Sequence, residues 1–343
     1  MHRLRIVTPV YNDWVSLGLL LRDLDEVVAT LPFLVDITAV DDGSTESYQS
    51  ILNAVAGLKH LGDVEIVHLS VNVGHQRAIA VGLCLAVQDD DADATLIMDA
   101  DGEDSPLAIS RMMEGLGDRQ DFCRVAQRRR RSENLTFRLS YLIYKFVFKL
   151  VTGKQINFGN FSVISRSYAR RLVMVSDLWN NLPAAVLRSR LPFESIPVDR
   201  AKRYAGKSKM NFTSLVVHGL SGISVYAETI FVRLLLLTVG LFVLTAVSIA
   251  FVLTLRLFFP LHATPGWATT VSFGMVMILA QVLSVTLSSI LMLLHNRVQR
   301  LVIPFADYKI YVASRLSLRG TRRAVATSLE FQNQNQIIAM ERV

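Results

Sequence analysis

Hydrophobic and polar positions follow a repeating order along the first third of the chain. Short runs rich in β-branched residues predict strands, and the stretches between them carry apolar residues at helical spacing. The predicted strands are Leu4–Thr8, Val35–Val40, Val64–Leu69, Thr95–Met98 and Phe122–Ala126. The predicted helices include Trp14–Leu31, Ser47–Leu58, Gln76–Val87 and Pro106–Leu116. This order predicts an α/β fold of βα units with a parallel sheet, whose ligands bind beyond the carboxyl ends of the strands.

Two later stretches are apolar without periodicity. Leu234–Leu255 and Trp267–Leu294 contain no charged residue. At about 1.5 Å per residue, each is long enough to cross the ~30 Å hydrocarbon core of a bilayer. The sequence therefore predicts two transmembrane helices.

The charge distribution predicts how these helices are oriented. The connector Arg256–Gly266 carries one arginine, whereas the outer flanks of both stretches are rich in lysine and arginine. The positive-inside rule then predicts a multi-pass protein of the inner (cytoplasmic) membrane, with the N-terminal domain and both termini in the cytoplasm. The start of the chain lacks the apolar run of a signal peptide, which agrees with a cytosolic domain. The net charge of +7 favours contact with anionic lipid over nucleic acid, since the cations flank the apolar stretches.

Three predicted strands end in polar clusters. The first runs into TPVYND (Thr8–Asp13), the second into DDGS (Asp41–Ser44) and the fourth into DADGED (Asp99–Asp104). Carboxylates two residues apart on a turn can hold one hard divalent cation that also binds phosphate oxygens. We therefore expect the acidic turn to bind a metal ion carrying a diphosphate. The spacing of its glycine excludes an EF-hand, and Ala201 occupies the first glycine position of a P-loop ending at Lys207-Ser208.

These elements together resemble those of the inverting family-2 glycosyltransferases, which have the GT-A fold. Among them the chain is most similar to the polyprenyl-phosphate glycosyltransferases related to dolichol-phosphate mannose synthase. The resemblance rests on five motifs in the family's order, followed by two apolar stretches. The motifs are TPVYND, VDDGS, NVGHQRAIAVGL (Asn72–Leu83), DADGEDSP and RYAGKSK (Arg203–Lys209).

The resemblance implies roles for individual residues. Contacts to the base, ribose and diphosphate of a nucleotide sugar would come from Pro9, Tyr11, Asp13, Asp41, Asp42, Asp99 and Ser208. Asp99 and Asp101 would bind Mg²⁺ or Mn²⁺, with Glu103 as a third oxygen ligand where relatives commonly carry Gln. Asp101, Arg203 and Lys209 would act in catalysis. The positive charges of Arg203 and Lys209 would oppose the negative charge of the departing nucleotide. His75 and His218 show no metal or nucleophile partner in the sequence, and we expect both to be structural.

A run of arginines is the candidate site for the acceptor phosphate. Guanidinium groups bind phosphate oxygens in a bidentate manner. The candidates, which the sequence does not rank, are Arg128, Arg129, Arg130, Arg131 and Arg138. They lead into a predicted helix, Leu135–Leu150, with large apolar residues and spaced cations.

Two departures from the family pattern bear on the acceptor and donor. Asn160 stands where relatives often carry Asp, so it cannot act as a base there. A phosphate acceptor needs no base, because it is largely ionised at neutral pH. Val71 stands where relatives frequently place Arg.

These observations predict an enzyme that moves a sugar from a nucleotide sugar, a UDP-sugar in our interpretation, to a polyprenyl phosphate such as undecaprenyl phosphate, with inversion. A transferase acting on a glycan or glycolipid, and a non-catalytic nucleotide-binding membrane subunit, are the alternatives; homo-oligomerisation stays open. The predicted organisation is a GT-A domain over 1–210, an amphipathic interfacial helix over 211–229, a transmembrane hairpin over 230–296 and a cytosolic tail over 297–343. We expect 297–318 to pack on a cytosolic domain, with Ile310–Ala313 as a strand, and most of the remaining tail to be disordered.

Overall fold

The computed structural model describes residues 2–117, 119–128, 146–154, 157–205, 219–258, 266–298 and 300–319. These residues divide into two compact units. The first unit holds the N-terminal part of the chain and residues 302–319. The second unit holds two long helices and a short helical stretch at residues 146–152.

The first unit is built on one eight-stranded sheet. In chain order the strands are β1 (Arg3–Val10), β2 (Leu34–Asp41), β3 (Val64–Leu69), β4 (Ala94–Ile97), β5 (Cys123–Arg128), β6 (Ser162–Ser165), β7 (Glu194–Val198) and β8 (Val312–Arg319). Their order across the sheet is β7-β5-β6-β4-β1-β2-β3-β8. The five strands predicted from sequence are all present, with ends that differ by a few residues.

The prediction of a parallel sheet is wrong in two places. Strand β6 runs antiparallel to both β4 and β5, and β8 runs antiparallel to β3. The other pairings, which join β1, β2, β3 and β4 and join β5 to β7, are parallel. The direction of a short strand such as β6 depends on its path through space, which the hydrophobic pattern of four residues cannot specify.

Helices cover both faces of this sheet. They are α1 (Trp14–Val28), α2 (Leu52–Ala56), α3 (His75–Asp89), α4 (Ala108–Met113), α5 (Arg166–Leu172), α6 (Leu182–Arg188) and, after the second unit, α9 (Pro304–Asp307). Successive residues of β1 point to opposite faces, so Ile6 joins the core under α1 while Val7 joins the core under α3. Both residues are fully buried. This two-sided burial explains why the strands read as continuous apolar runs.

The helices α7 (Ala227–Phe258) and α8 (Trp267–Val298) form most of the second unit. Within the described chain they are the two helices long and apolar enough to cross a membrane, and few of their side chains are buried. Thr238 and Thr286 are buried and form an interhelical hydrogen bond of 2.7 Å between their hydroxyl oxygens. The short helical stretch joins this unit through Phe148, whose ring packs edge-on against Tyr226 at 5.8 Å. Of the predicted interfacial helix, residues 219–224 are helical, and 211–218 lie outside the described residues.

The chain returns to the sheet after the second long helix. Residues 308–311 form a 3₁₀ turn, and β8 then pairs with β3 and forms one edge of the sheet. The prediction that 297–318 packs on a domain is confirmed for residues 302–318, whereas 297–301 belong to the second unit. The predicted strand was misplaced, because it begins at Val312 rather than Ile310. Residues 320–343 lie outside the described residues.

Candidate active site

The candidate site lies where the chain crosses the centre of the sheet. Strand β1 has β2 on one side and β4 on the other, so the chain winds in opposite directions from β1. The carboxyl ends of these strands adjoin each other, with Val10 in register with Asp41 and Val7 with Ile97. Such a switch point is where open α/β sheets bind ligands. The three polar clusters predicted from sequence therefore meet at one edge.

The acidic turn after β4 is shaped by its own carboxylates. Asp101 Oδ1 accepts a 2.9 Å hydrogen bond from the backbone N–H of Glu103, and Asp104 Oδ2 accepts one of 3.1 Å from that of Asp99. Asp104 is buried, and we assign it to turn structure. Burial and the neighbouring charge of Asp99 raise the pKa of Asp101 above its ordinary value. The turn thus holds concentrated negative charge, which favours a cationic ligand.

Arg203 provides a positive partner for this charge. Its Nη1 lies 2.8 Å from Asp101 Oδ2, and its Nη2 lies 2.5 Å from Asp13 Oδ2. Its Nε donates to the carbonyl oxygen of Ala205 at 2.9 Å. The guanidinium therefore joins the loop after β1, the acidic turn and its own loop. Sequence reasoning placed all three charged residues in the site, and the structure brings them into contact.

The segment before Arg203 is fixed to the same turn by backbone contacts. Ala201 N–H donates to the carbonyl oxygen of Glu103 at 3.0 Å, and Tyr204 N–H donates to that of Asp101 at 2.9 Å. Glu103, the predicted third metal ligand, forms an ion pair with Arg200. These contacts make residues 200–204 a fixed neighbour of the acidic turn.

Tyr204 explains why the turn contains glycine at position 102. Its ring lies directly against Gly102, where a Cβ would approach the ring carbons within 2.2 Å. Gly102 also has a φ of +84°, which favours glycine. The Tyr204 hydroxyl donates to Asp23 on α1. Sequence reasoning gave no role to Tyr204, because its neighbours come from distant parts of the chain.

The two aspartates after β2 both have partners within the protein. Asp41 contacts His68 Nδ1 at 2.8 Å and accepts from the backbone N–H of Ser44 at 2.9 Å. Burial alone would raise the pKa of Asp41, but these hydrogen bonds outweigh it and the pKa lies below its ordinary value. Asp42 accepts from the backbone N–H groups of Val73 and Gly74, at 2.7 and 3.0 Å, and burial raises its pKa. These carboxylates shape the loops around the site; their contacts with nucleotide remain a prediction.

The remaining predicted nucleotide contacts differ in accessibility. Pro9 is buried within β1 and in register with Val40, whereas the Tyr11 side chain is 42% exposed. Arg128 is the last residue of β5. Ser208, Lys209, Arg129, Arg130, Arg131, Arg138 and His218 lie outside the described residues.

His75, which was expected to be structural, contacts one of the predicted metal ligands. His75 begins α3, and its Nε2 lies 3.2 Å from Asp99 Oδ1 and 3.1 Å from Asn160 Nδ2. Desolvation lowers the pKa of His75, but the charges of Asp99, Asp42 and Asp101 outweigh it, so the pKa lies above its ordinary value. Gln76 orients Asn160, since its Nε2 donates to Asn160 Oδ1 at 3.0 Å. The sequence could have drawn attention to His75, because it directly follows Gly74 in a polar motif. It could not identify Asp99 as the partner of this histidine.

The arrangement suits an anionic ligand that binds together with a cation. The carboxylates of Asp13, Asp99 and Asp101 lie beside the positive charge of Arg203 and the imidazole of His75. No three His, Cys, Asp or Glu side chains converge as a complete metal site in the part of the chain that the structure describes. The described side chains therefore place a small group of carboxylates beside one guanidinium and one imidazole.

Comparison with known proteins agrees with the motifs. The family described as Glycosyl transferase family 2 matches residues 5–179, about half of the chain. The undecaprenyl-phosphate 4-deoxy-4-formamido-L-arabinose transferase of Klebsiella pneumoniae (strain 342) is 28% identical over 218 residues, covering 62% of this chain. The match covers 64% of that relative, slightly less than two thirds of its length. The bactoprenol glucosyl transferase of Shigella phage SfV is 28% identical over 232 residues, covering 66% of this chain and 72% of the relative.

Two solved structures are similar at low sequence identity. Mannosyl-3-phosphoglycerate synthase from Rubrobacter xylanophilus has a TM-score of 0.48 and 16% identity, covering 66% of this chain and 73% of the other. Glucosyl-3-phosphoglycerate synthase from Mycobacterium tuberculosis, in complex with Mn²⁺ and UDP-glucose, has a TM-score of 0.47 and 13% identity, covering 66% and 79%.

The predicted fold class, a GT-A domain followed by two long apolar helices, is confirmed by the family match together with the mixed α/β sheet and the helices α7 and α8. The five motifs, the acidic turn at the switch point and the matched residues 5–179 lead to one assignment. The chain belongs to glycosyl transferase family 2.

Proposed function

We propose that this protein transfers a sugar from a nucleotide sugar, a UDP-sugar, to a polyprenyl phosphate such as undecaprenyl phosphate, with inversion at the anomeric carbon. The observation that carries the proposal is the contact of Arg203 with Asp13 and Asp101 at the switch point of the sheet. It combines a cation for a diphosphate with carboxylates for a metal ion. The Klebsiella and Shigella phage relatives, by their names, act on lipid carriers of this class.

The donor set fits a hard divalent cation such as Mg²⁺ or Mn²⁺. Asp99 and Asp101 supply carboxylate oxygens two residues apart, and Mg²⁺ is commonly bound by one or two carboxylates plus substrate phosphates. When bound, the cation would neutralise charge on the nucleotide diphosphate. Glu103 remains the proposed third ligand.

The reaction itself is a single displacement. An oxygen of the acceptor phosphate forms a bond to the anomeric carbon as the bond from that carbon to the diphosphate oxygen breaks, and the nucleoside diphosphate leaves with the electron pair. Arg203 and Lys209 would stabilise the negative charge of this leaving group. The acceptor phosphate arrives ionised, so an amide at position 160 does not impede attack. Arg128–Arg131 and Arg138 are the proposed acceptor-binding residues.

A transfer assay tests this proposal directly. Membranes containing the protein are incubated with radiolabelled nucleotide sugars, one at a time, with and without added undecaprenyl phosphate. We expect one sugar to enter the lipid fraction, dependent on the lipid phosphate, with an anomeric configuration opposite to that of the donor. Label that enters a glycan or glycolipid without need of the lipid phosphate would contradict it and favour the alternative acceptor.

The proposed topology places the sheet unit and both termini in the cytoplasm, where nucleotide sugars are made. In intact cells, a membrane-impermeant thiol reagent should label His262→Cys in the connector but not Ser314→Cys, an exposed position on β8. Ser314→Cys should react once the membrane is permeabilised. Background should be low, because the native Cys84 and Cys123 are buried. Labelling of Ser314→Cys alone in intact cells would reverse the orientation.

A further inference from the structure

Each nitrogen of the Arg203 side chain donates a hydrogen bond to an acceptor within the protein. Two of its nitrogens bind carboxylates, those of Asp101 and Asp13, and the third binds the carbonyl oxygen of Ala205. The side chains of Arg203, Asp13 and Asp101 are only 20%, 20% and 16% exposed. Solvent screening of these ion pairs is therefore weaker than at an open surface.

This arrangement conflicts with simultaneous metal binding. A divalent cation on Asp101 would be attracted by the same carboxylate that Arg203 now neutralises. Like charges a few ångströms apart repel, and the repulsion is larger where water is partly excluded. The guanidinium and the metal ion therefore compete for Asp101.

We propose that Arg203 is a resident counter-ion that a divalent metal ion displaces from Asp101 and Asp13. The displaced guanidinium is then available to the diphosphate of the nucleotide. The first step concerns the metal ion alone and stands by itself; the second rests on the proposed function. Arg203 thus lowers the affinity of the protein for free metal while supporting binding of the metal–nucleotide pair.

The surrounding contacts indicate that displacement is a movement of the side chain and not of the loop. The backbone bonds from Ala201 to Glu103 and from Tyr204 to Asp101 do not involve the guanidinium. The Tyr204 ring against Gly102 also holds the loop in place. An arginine side chain has several rotatable bonds and can change its partner while its backbone stays fixed.

The direction in which Arg203→Ala changes the affinity for Mn²⁺ tests this proposal. Mn²⁺ binding is measured on the full-length protein in detergent, without nucleotide, from the electron paramagnetic resonance signal of free Mn²⁺. We expect Arg203→Ala to bind Mn²⁺ about tenfold more tightly than the wild type, equivalent to roughly 1.4 kcal/mol. The same variant should bind UDP more weakly in the presence of Mn²⁺. A residue that only helps to hold metal or nucleotide would lower both affinities.

Lys202→Ala is the matched control, since Lys202 is an exposed cation on the same loop and directly precedes Arg203 in the chain. An equal gain in Mn²⁺ affinity in that variant would show a response to net charge alone and would overturn the proposal. Unchanged or weaker Mn²⁺ binding by Arg203→Ala would also overturn it, as would wild-type binding by Asp101→Asn. Arg203→Gln, which keeps a polar side chain, replaces the alanine variant if that variant unfolds. A failed transfer assay with the expected Mn²⁺ result would refute only the proposed function.

Discussion

Asp101→Asn and Asp99→Asn are each expected to lower sugar transfer by at least about 10²-fold while the sheet unit stays folded. Each change keeps the shape of the side chain and removes one negative charge at the switch point. Asp101 is held between the backbone N–H of Glu103 and Arg203, and Asp99 lies beside His75. A metal–diphosphate pair would lose part of its binding site in either variant. Initial rates at saturating donor, acceptor and Mn²⁺ give the measurement.

Stability should separate this loss of function from a loss of structure. Burial and the charge of Asp99 raise the pKa of Asp101, so ionised Asp101 lowers the stability of the folded state. A group with a raised folded pKa loses its stabilising contribution as the pH rises through that pKa. At neutral pH the melting temperature of Asp101→Asn should therefore equal or exceed that of the wild type. Glu114→Gln, an exposed change at the end of α4, should alter neither rate nor stability.

Two results would contradict the metal assignment. Full activity of both asparagine variants in the presence of a chelator would show that transfer does not use a metal ion at this turn. A marked fall in the melting temperature of Asp101→Asn would show that the ionised carboxylate stabilises the fold, which the raised pKa of Asp101 does not predict.

Much of the sheet could be predicted because its strands are buried on both faces. Strands such as β1 and β2 consist almost entirely of buried residues, so their apolar runs are visible without knowledge of the fold. Strand β7 was missed because it is short, carries Pro197 and is only partly buried. Strand β8 was only partly predicted, because its partner β3 is distant in the sequence and two long apolar helices lie between them along the chain. Local pattern carries no information about such a pairing.

The candidate site was predicted residue by residue but not contact by contact. The motifs identified Asp13, Asp101 and Arg203, yet the bridge between them follows only from the order of the strands. The contact of His75 with Asp99 was not predicted for the same reason, because Asp99 follows a different strand. Chemistry that depends on residue type is visible in the sequence, whereas chemistry that depends on the meeting of distant loops requires the fold.

The segment that follows the long helices is tied to the sheet by a buried charge network. Arg315 on β8 binds Glu65 on β3 at 2.6 Å and Asp89 at the end of α3 at 2.7 Å. Asp89 also pairs with Arg5 on β1 at 2.6 Å, and Arg5 is almost fully buried. The side chains of Arg315, Glu65 and Asp89 are only 18%, 10% and 11% exposed. Both arginine partners hold the pKa of Asp89 well below its ordinary value, despite burial, which would raise it.

Arg315→Met is expected to destabilise the sheet unit by about 3 kcal/mol at neutral pH. Methionine keeps much of the side-chain volume, but it leaves the buried carboxylate of Glu65 without its cation, and removing one partner of a buried pair costs about 3–5 kcal/mol. The measurement is thermal unfolding in detergent, followed by the fluorescence of Trp14 and Trp179 in the sheet unit. Arg319→Met is the matched control, because Arg319 ends the same strand and its Nη2 donates to a neutral acceptor, the carbonyl oxygen of Lys59, at 3.4 Å. Equal destabilisation by the two changes would show that packing of β8, not the charge network, determines its stability.

The pH dependence of the stability difference between Arg315→Met and the wild type distinguishes an effect of charge from an effect of packing. Because the folded pKa of Asp89 is lowered, its stabilising contribution is fully present above its unfolded pKa of about 3.9 and is lost as the pH falls through the folded value. Arg315 supplies part of that lowering, so Arg315→Met should reduce the stability that Asp89 contributes at neutral pH. Below the unfolded pKa of about 3.9, the unfolded chain binds a proton at Asp89 that the folded wild type does not, so the stability gained from the lowered pKa declines and the gap between variant and wild type should shrink. A gap that stays constant from neutral pH to this range would mean that Arg315 acts through its volume, and the charge network would then have no part in holding β8 to the sheet.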